Sequence, residues 1–381
     1  MAVIKGAFIC GPMNKPVTIT FGAGTVKEIV PLARKQGWKR GIIVSTPHFV
    51  KNGFVDRLLQ QGAGLITDVF SNITPNPEVN DVDDCAAVMR NWKNDFVIAI
   101  GGGSAMDLAK AAASVCQTND SIRDYHGTGK NLPAAHLPLI AVPTTAGTGS
   151  EVTSVAVLSD KDRHKKGPIV SQNFFPDYAV VDPELTYEMP PYLTACCGID
   201  VLSHALEGYW SIHHQPVCDA CAVHAASLVF QYLPKACRQP DDREAREKLC
   251  EASVIAGLSF TLPKTTAPHA CSFPLTNRYG IPHGEACGLT LDYFTRLNGK
   301  YDSRVQALAH DLGFSGSEAL ADAIAKLKEE TGLRCSLKDL ELSENEMASL
   351  VTASHHPNMS NNPYPVTDDI LYDLYQKLVS A

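Results

Sequence analysis

No apolar run in this chain of 381 residues reaches the ~18–20 residues that a membrane-spanning helix requires. Basic stripes and polybasic runs are also missing, and the net charge is −8. These absences argue against nucleic acid and anionic membrane as partners. Charged residues are sparse at 19%, against 45% apolar, which is ordinary for a globular protein with large cores. The opening MAVIKGAFICGP has no long apolar core followed by a cleavage site, so a cytoplasmic location is expected. Paired cysteine motifs are lacking too. The 12 cysteines are scattered, and the single CxxC, Cys218 to Cys221, has no second pair and lies in a helix-like stretch. They read as reduced thiols. There is no internal repeat and no low-complexity tract.

The first half alternates strand-like and helix-like stretches. VTITF (17–21), GIIVSTP (41–47), LITDVF (65–70) and FVIAIGGG (96–103) read as strands, as does the start of PLIAVPTTAGTGSEVT (138–153). Helical spacing separates them, in GAGTVKEIVPLARKQG, FVKNGFVDRLLQQG, NPEVNDVDDCAAVMRNWK and SAMDLAKAAASVC. Continuous apolar strands alternating with helices imply a parallel sheet covered on both faces. From about residue 190 the strand-like runs stop and helical spacing takes over. The expected architecture is an α/β nucleotide-binding domain over 1–187 and an all-α domain over 188–381.

Four residues of the second half form a candidate divalent-metal site: Asp200, His204, His269 and His283. Asp200 and His204 lie in GIDVLSHALEGY, four apart, hence on one face of a helix. His269 and His283 are separated by Pro274, Gly280 and Pro282, which argues against one unbroken helix, so they should approach from different elements. Imidazoles with one carboxylate suit zinc, iron, nickel or copper. The spacing alone is modest evidence: D-x-x-x-H arises often by chance, and with 13 histidines most are ordinary core or surface residues.

Gly101-Gly102-Gly103-Ser104 follows a buried strand and opens a helix. Free N–H groups at a helix start, with the helix dipole behind them, make an anion site. The pattern is neither GxGxxG nor a P-loop. A tight turn alone would need one glycine; three after a strand favour contact with a phosphate. PTTAGTGS adds hydroxyls and glycines at the end of another strand. In doubly wound sheets both loops lie where ligands bind, beyond the carboxyl ends of the strands.

Taken jointly, FGAG near the start, PNP at 75–77, GGGSAMDLAK, PTTAGTGSEVT, VVDPEL, GIDVLSHALEGY and PHGEA resemble, in order, the motifs of the iron-containing (group III) alcohol dehydrogenases. The resemblance spans nearly the whole chain. It implies the two-domain dehydroquinate synthase-like architecture and places the family's metal ligands on Asp200, His204, His269 and His283, with Fe(II) or Zn(II) as the ion. By motif match, Asn76, Gly102, Gly103, Ser104, Thr144 and Thr148 would contact NAD or NADP, and Lys166 would reach a ribose. The implied chemistry is hydride transfer between nicotinamide and a small aldehyde or alcohol, reversibly, in an enzyme that is commonly a homo-oligomer. Two other classes compete: a lyase of the dehydroquinate synthase type, and a binding protein on an enzyme fold. The four ligand positions and PHGEA favour the dehydrogenase.

Three positions depart from the family pattern. Phe273 stands where many members have a second histidine, four residues after His269. Thr46 stands where NAD-preferring relatives have an aspartate, so NADP is permitted. PKTTAPHACSFPLTNRYGIPHG replaces a glycine-rich apolar helix. Lys264 and Arg278, flanking His269, would suit an acidic aldehyde such as phosphonoacetaldehyde or sulfoacetaldehyde. The alternative within the family is a general short-chain alcohol or 1,2-diol dehydrogenase.

Overall fold

The computed structural model describes residues 17–163 and 165–380. They form two compact units: residues 17–145 with 150–186, and residues 146–149 with 187–380.

The first unit holds eight strands: β1 (Thr18–Phe21), β2 (Gly41–Ser45), β3 (Ile66–Phe70), β4 (Phe96–Gly101), β5 (Leu139–Pro143), β6 (Val155–Asp160), β7 (Lys165–Val170) and β8 (Tyr178–Val181). Its helices are α1 (Ile29–Lys35), α2 (Pro47–Lys51), α3 (Phe54–Gln61), α4 (Val79–Trp92) and α5 (Gly103–Val115). Six strands form one sheet in the order β1-β8-β5-β4-β2-β3, and every pairing is parallel. The side-chain period of two divides its core cleanly. Ile43, Phe96, Ile98, Ile100, Ile140 and Val142 pack on one face with α1 and α3. Ile42, Val44, Val97, Ala99 and Ala141 pack on the other with α4 and α5. Burial on both faces explains why these strands read as unbroken apolar runs.

Three details differ from the sequence expectation, the first being β8, a short strand between β1 and β5 that the sequence reading did not single out. FVKNGFVDRLLQQG is two helices, α2 and α3, interrupted at Asn52 and Gly53. An antiparallel pair, β6 with β7, lies outside the main sheet. Its strands are half-buried rather than continuously apolar, and β7 is written KKGPIV, so no apolar run announces it.

In the second unit the described residues contain no strand. Its helices are α6 (Pro191–Trp210), α7 (Pro216–Arg238), α8 (Arg243–Phe260), α9 (Ala267–Tyr279), α10 (His283–Tyr301), α11 (Ser303–Asp311), α12 (Ser317–Glu330), α13 (Glu344–Ala353) and α14 (Asp368–Ser380). Helix α6 is buried on nearly every side, packed by α7, α8 and α10. A helix apolar all round belongs at the centre of its unit. Helix α10 can lie against α6 because Gly284 has no side chain: a Cβ there would stand 2.0 Å from the Cys196 carbonyl oxygen and 2.8 Å from Asp200 Cβ. Among the described residues, no helix is long and apolar enough to cross a membrane.

Candidate active site

Asp200 and His204, one turn apart on α6, present their polar atoms to the same point, with His204 Nε2 4.0 Å from Asp200 Oδ1. His269 comes from the first turn of α9, where Pro268 is tolerated because the N–H it lacks has no helical acceptor. Its Nε2 lies 3.1 Å from His204 Nε2 and 3.6 Å from Asp200 Oδ1. His283 begins α10, its ring centroid 5.3 Å from that of His269. Three helices thus bring together the four side chains singled out from the sequence, and the two later histidines do come from separate helices. A fifth group joins them: the donor atoms of Asp200, His269, His283 and Cys287 all lie within 4.8 Å of one another.

This donor set fits a divalent cation. Asp200 Oδ1, which faces the cluster, is buried without a hydrogen-bond partner, and such orphans are rare in a native interior. Burial pushes the Asp200 carboxyl up to about 6 even though the nearby His269 favours its ionised form. Burial also holds the His204 imidazole well below its ordinary value, and hence neutral, as a ligand must be.

Glu207, one turn beyond His204, governs His269. Its Oε1 accepts from His269 Nδ1 at 2.5 Å and from Ser203 Oγ at 2.5 Å. Its Oε2 accepts from the Thr266 N–H at 2.6 Å and the Thr266 hydroxyl at 3.1 Å. The carboxylate is fully buried; burial alone would raise its pKa, but His269 and these hydrogen bonds bring it below the usual value. Burial alone would lower the His269 pKa, yet Cys287 and Glu207 beside it carry it well above normal. With Nδ1–H committed to Glu207, Nε2 faces the cluster, and a bound cation would take the place of its proton. A carboxylate behind a ligating histidine fixes its tautomer and ring orientation. Sequence reasoning missed Glu207, although Asp200, His204 and Glu207 at i, i+4 and i+7 share one helical stripe.

Aromatic rings wall the cluster. Phe260, ending α8, stacks on His204 with centroids 4.1 Å apart and planes 9° apart. Phe273 lies 6.1 Å from the His283 ring, and His356 packs 4.4 Å from Phe273. His356 is therefore not an ordinary polar-loop histidine, which is how its stretch ASHHPNMSNNP reads in the sequence. Its Nδ1 accepts the Asn358 N–H at 3.2 Å, which leaves Nε2–H as the outward donor. The Asn358 side chain reaches Thr265 Oγ1 at 2.7 Å, tying this loop to the one that carries Lys264.

The structure separates Lys264 from Arg278. The Lys264 N–H donates to the carbonyl of Phe260 at 2.8 Å, so this residue sits beside the wall of the cluster. Its half-buried ammonium donates to the Thr261 carbonyl at 2.8 Å, and among the described residues no carboxylate pairs with it. Arg278 does not join the site. It is exposed at the far end of α9, and its guanidinium donates to Ser349 Oγ at 2.9 Å. Nine residues of helix carry it roughly 13 Å along the axis from His269.

In the first unit, Thr46, Gly102, Gly103, Ser104 and Thr144 lie just beyond the carboxyl ends of the neighbouring strands β2, β4 and β5. Gly102 caps α5, with Gly103 and Ser104 in its first turn. A Cβ on Gly102 would meet Thr145 Oγ1 at 3.1 Å and press on that side chain. The Thr144 N–H donates to the Gly101 carbonyl at 3.0 Å, joining the ends of β5 and β4. Thr46, after β2, caps α2 and places its methyl near Gly101. Lys166 Nζ, on β7, donates to Asn76 Oδ1 at 2.9 Å. Thr148 lies in the 146–149 segment, which belongs to the second unit.

Residues 16–183 match the model of the iron-containing alcohol dehydrogenases, and residues 194–379 match that of the C-terminal part of the Fe-containing alcohol dehydrogenase family. Alcohol dehydrogenase 4 of Schizosaccharomyces pombe is 34% identical over 358 residues, covering 92% of this chain and 84% of that protein. The chain belongs to the iron-containing alcohol dehydrogenase family. It is thus a metal-dependent alcohol/aldehyde oxidoreductase, and its family sets it apart from the lyases that share the architecture. Another member, 1-propanol dehydrogenase of Salmonella typhimurium, is 36% identical over 327 residues, covering 82% of this chain and 85% of that protein. Among solved structures, sulfoacetaldehyde reductase from Bifidobacterium kashiwanohense in complex with NAD+ superposes with a TM-score of 0.95. It is 56% identical, covering 98% of this chain and 100% of that one.

Proposed function

We propose that this dehydrogenase reduces a small aldehyde with an anionic tail, of the sulfoacetaldehyde or phosphonoacetaldehyde kind, to its primary alcohol. NADH or NADPH would be the hydride donor, held by Thr46, Asn76, Gly102, Gly103, Ser104, Thr144, Thr148 and Lys166. Asp200, His204, His269 and His283 would hold one Fe(II) or Zn(II). When bound, the cation supplies Lewis acidity at the carbonyl oxygen.

The chain's own residues do the rest. Glu207 keeps His269 Nε2 on the cluster. Phe260 and Phe273 exclude water from the reacting carbon. Thr46 leaves the 2′-phosphate of NADP unopposed, where a carboxylate would repel it. Phe273 carries no proton, so the proton that reaches the product oxygen comes from elsewhere; His356, above it, offers an Nε2–H as hydrogen-bond donor to the substrate.

The observation that carries the acidic substrate is Lys264: its backbone bonds to Phe260, and its half-buried ammonium has no carboxylate to balance it among the described residues. A cation in that state is best balanced by charge on a ligand. The 56% identity with a sulfoacetaldehyde reductase supports the same reading. The test is a panel of sulfoacetaldehyde, phosphonoacetaldehyde, propanal and butanal, run with NADH and NADPH. A kcat/KM at least ~10-fold higher for an acidic aldehyde is expected, the range for a hydrogen bond to a charged group. Equal or better use of propanal would hand the chain to the short-chain alcohol reading.

A further inference from the structure

The candidate metal ligands on α6 are an i, i+4 pair. Helix α10 carries a second such pair, His283 and Cys287, and the sequence reading took only its histidine. The Cys287 sulfur lies 3.9 Å from His283 Nε2. It is also within 4.8 Å of the donor atoms of Asp200 and His269. Bonds of about 2.0–2.3 Å to a shared ion set neighbouring donors roughly 3–4 Å apart, and the sulfur stands at that spacing from His283 Nε2.

The ordinary role for a buried cysteine is a small apolar filler whose S–H finds a carbonyl. Buried Cys116 and Cys218 do so: Cys116 Sγ donates to the Ala113 carbonyl and Cys218 Sγ to that of Leu258. Cys287 is fully buried, and its polar neighbours are side chains of the cluster itself, Asp200, His269 and His283. Its position also follows from the packing: Gly284 and Gly288 flank it on the face of α10 that meets α6.

We propose that Cys287 is a thiolate ligand of the same cation, a fifth protein donor beside Asp200, His204, His269 and His283. Binding exchanges the thiol proton, released to solvent, for a sulfur–metal bond. The inference rests on the metal centre proposed above and changes its character, since a soft sulfur donor shifts an N/O site toward zinc relative to iron.

Cobalt(II) reports thiolate ligation directly. The full-length protein is stripped, loaded anaerobically with one equivalent of Co(II), and read by absorbance. Wild type should show the intense near-ultraviolet sulfur-to-cobalt charge-transfer band. The band should be lost in Cys287→Ser and retained in Cys271→Ser, a control for a buried thiol on α9. Cys287→Ser should still bind cobalt, with only the weaker visible bands left. Cobalt bound by wild type without the charge-transfer band would overturn the thiolate and leave the four-ligand centre standing. So would a band that survives Cys287→Ser. Failure of folded wild type to bind cobalt at all would bring down both. Should Cys287→Ser not fold, the wild-type spectrum and Cys287→Ala decide the matter.

Discussion

Glu207 Oε1 accepts the Nδ1–H of His269 at 2.5 Å, from the same helix that carries Asp200 and His204. Helix α6 therefore supplies both two candidate ligands and the group that aims a third. Because Glu207 accepts from both N–H groups and hydroxyls, an amide in its place would turn an NH2 toward at least one donor. Glu207→Gln should weaken metal binding by roughly 10–100-fold. Metal titration of the stripped protein, with circular dichroism to confirm the fold, measures it.

Lys264 and Arg278 should part company in kinetics. Lys264→Ala should lower kcat/KM for an acidic aldehyde by about 10–100-fold, the scale of a hydrogen bond to a charged group, and leave propanal nearly unchanged. Arg278→Ala should change neither substrate by more than about 2-fold, since exposed polar contacts contribute little. Equal losses on both aldehydes in Lys264→Ala would mean a structural role only.

Thr46→Asp should convert a permissive cofactor site into a selective one. A carboxylate after β2 repels a 2′-phosphate and accepts from a 2′-hydroxyl. The ratio of kcat/KM for NADH over NADPH should rise by at least about 10-fold; an unchanged ratio would remove Thr46 from the cofactor site.

The first unit contains a buried Lys110 whose ammonium donates to Ser150 Oγ, Thr153 Oγ1 and the carbonyls of Thr153 and Val155. Burial lowers its pKa to about 8 and raises that of the nearby Glu151 to about 7. Between pH ~4.5 and 7 the folded carboxyl keeps a proton that the unfolded chain releases, so stability falls as pH rises. Between pH ~8 and 10.5 the unfolded lysine holds a proton that the folded one has lost, so stability rises again. Denaturant melts should show a lower-pH decline about 3 kcal/mol larger in wild type than in Glu151→Gln, in which Asp200 still contributes its own.

Much of this was legible from residue order. The sheet was, because β2, β4 and β5 are apolar on both faces. The cluster was in part: Asp200 and His204 share a helical face and Gly280 with Pro282 separates α9 from α10, although Pro274 sits inside α9, and the family motifs rather than spacing singled out the four residues. What stayed hidden depends on contacts across helices. Nothing near His356 in the sequence says that its loop folds over Phe273. Cys287 reads as one thiol among 12 until α10 is laid on α6. The pair β6 and β7 has no apolar run because it is half-covered. Arg278 is close to His269 in sequence, but α9 carries it to the other end of its axis.

Gly284 sets a tolerance for the whole centre. The gap between α6 and α10 at this point is narrower than a methyl group, so even alanine must wedge the two rods apart. His283 is its immediate neighbour and Asp200 lies across the seam, so whatever widens the seam also loosens the grip on the ion. Gly284→Ala should accordingly lose metal before it loses helix, as a metal titration set beside a thermal melt would show.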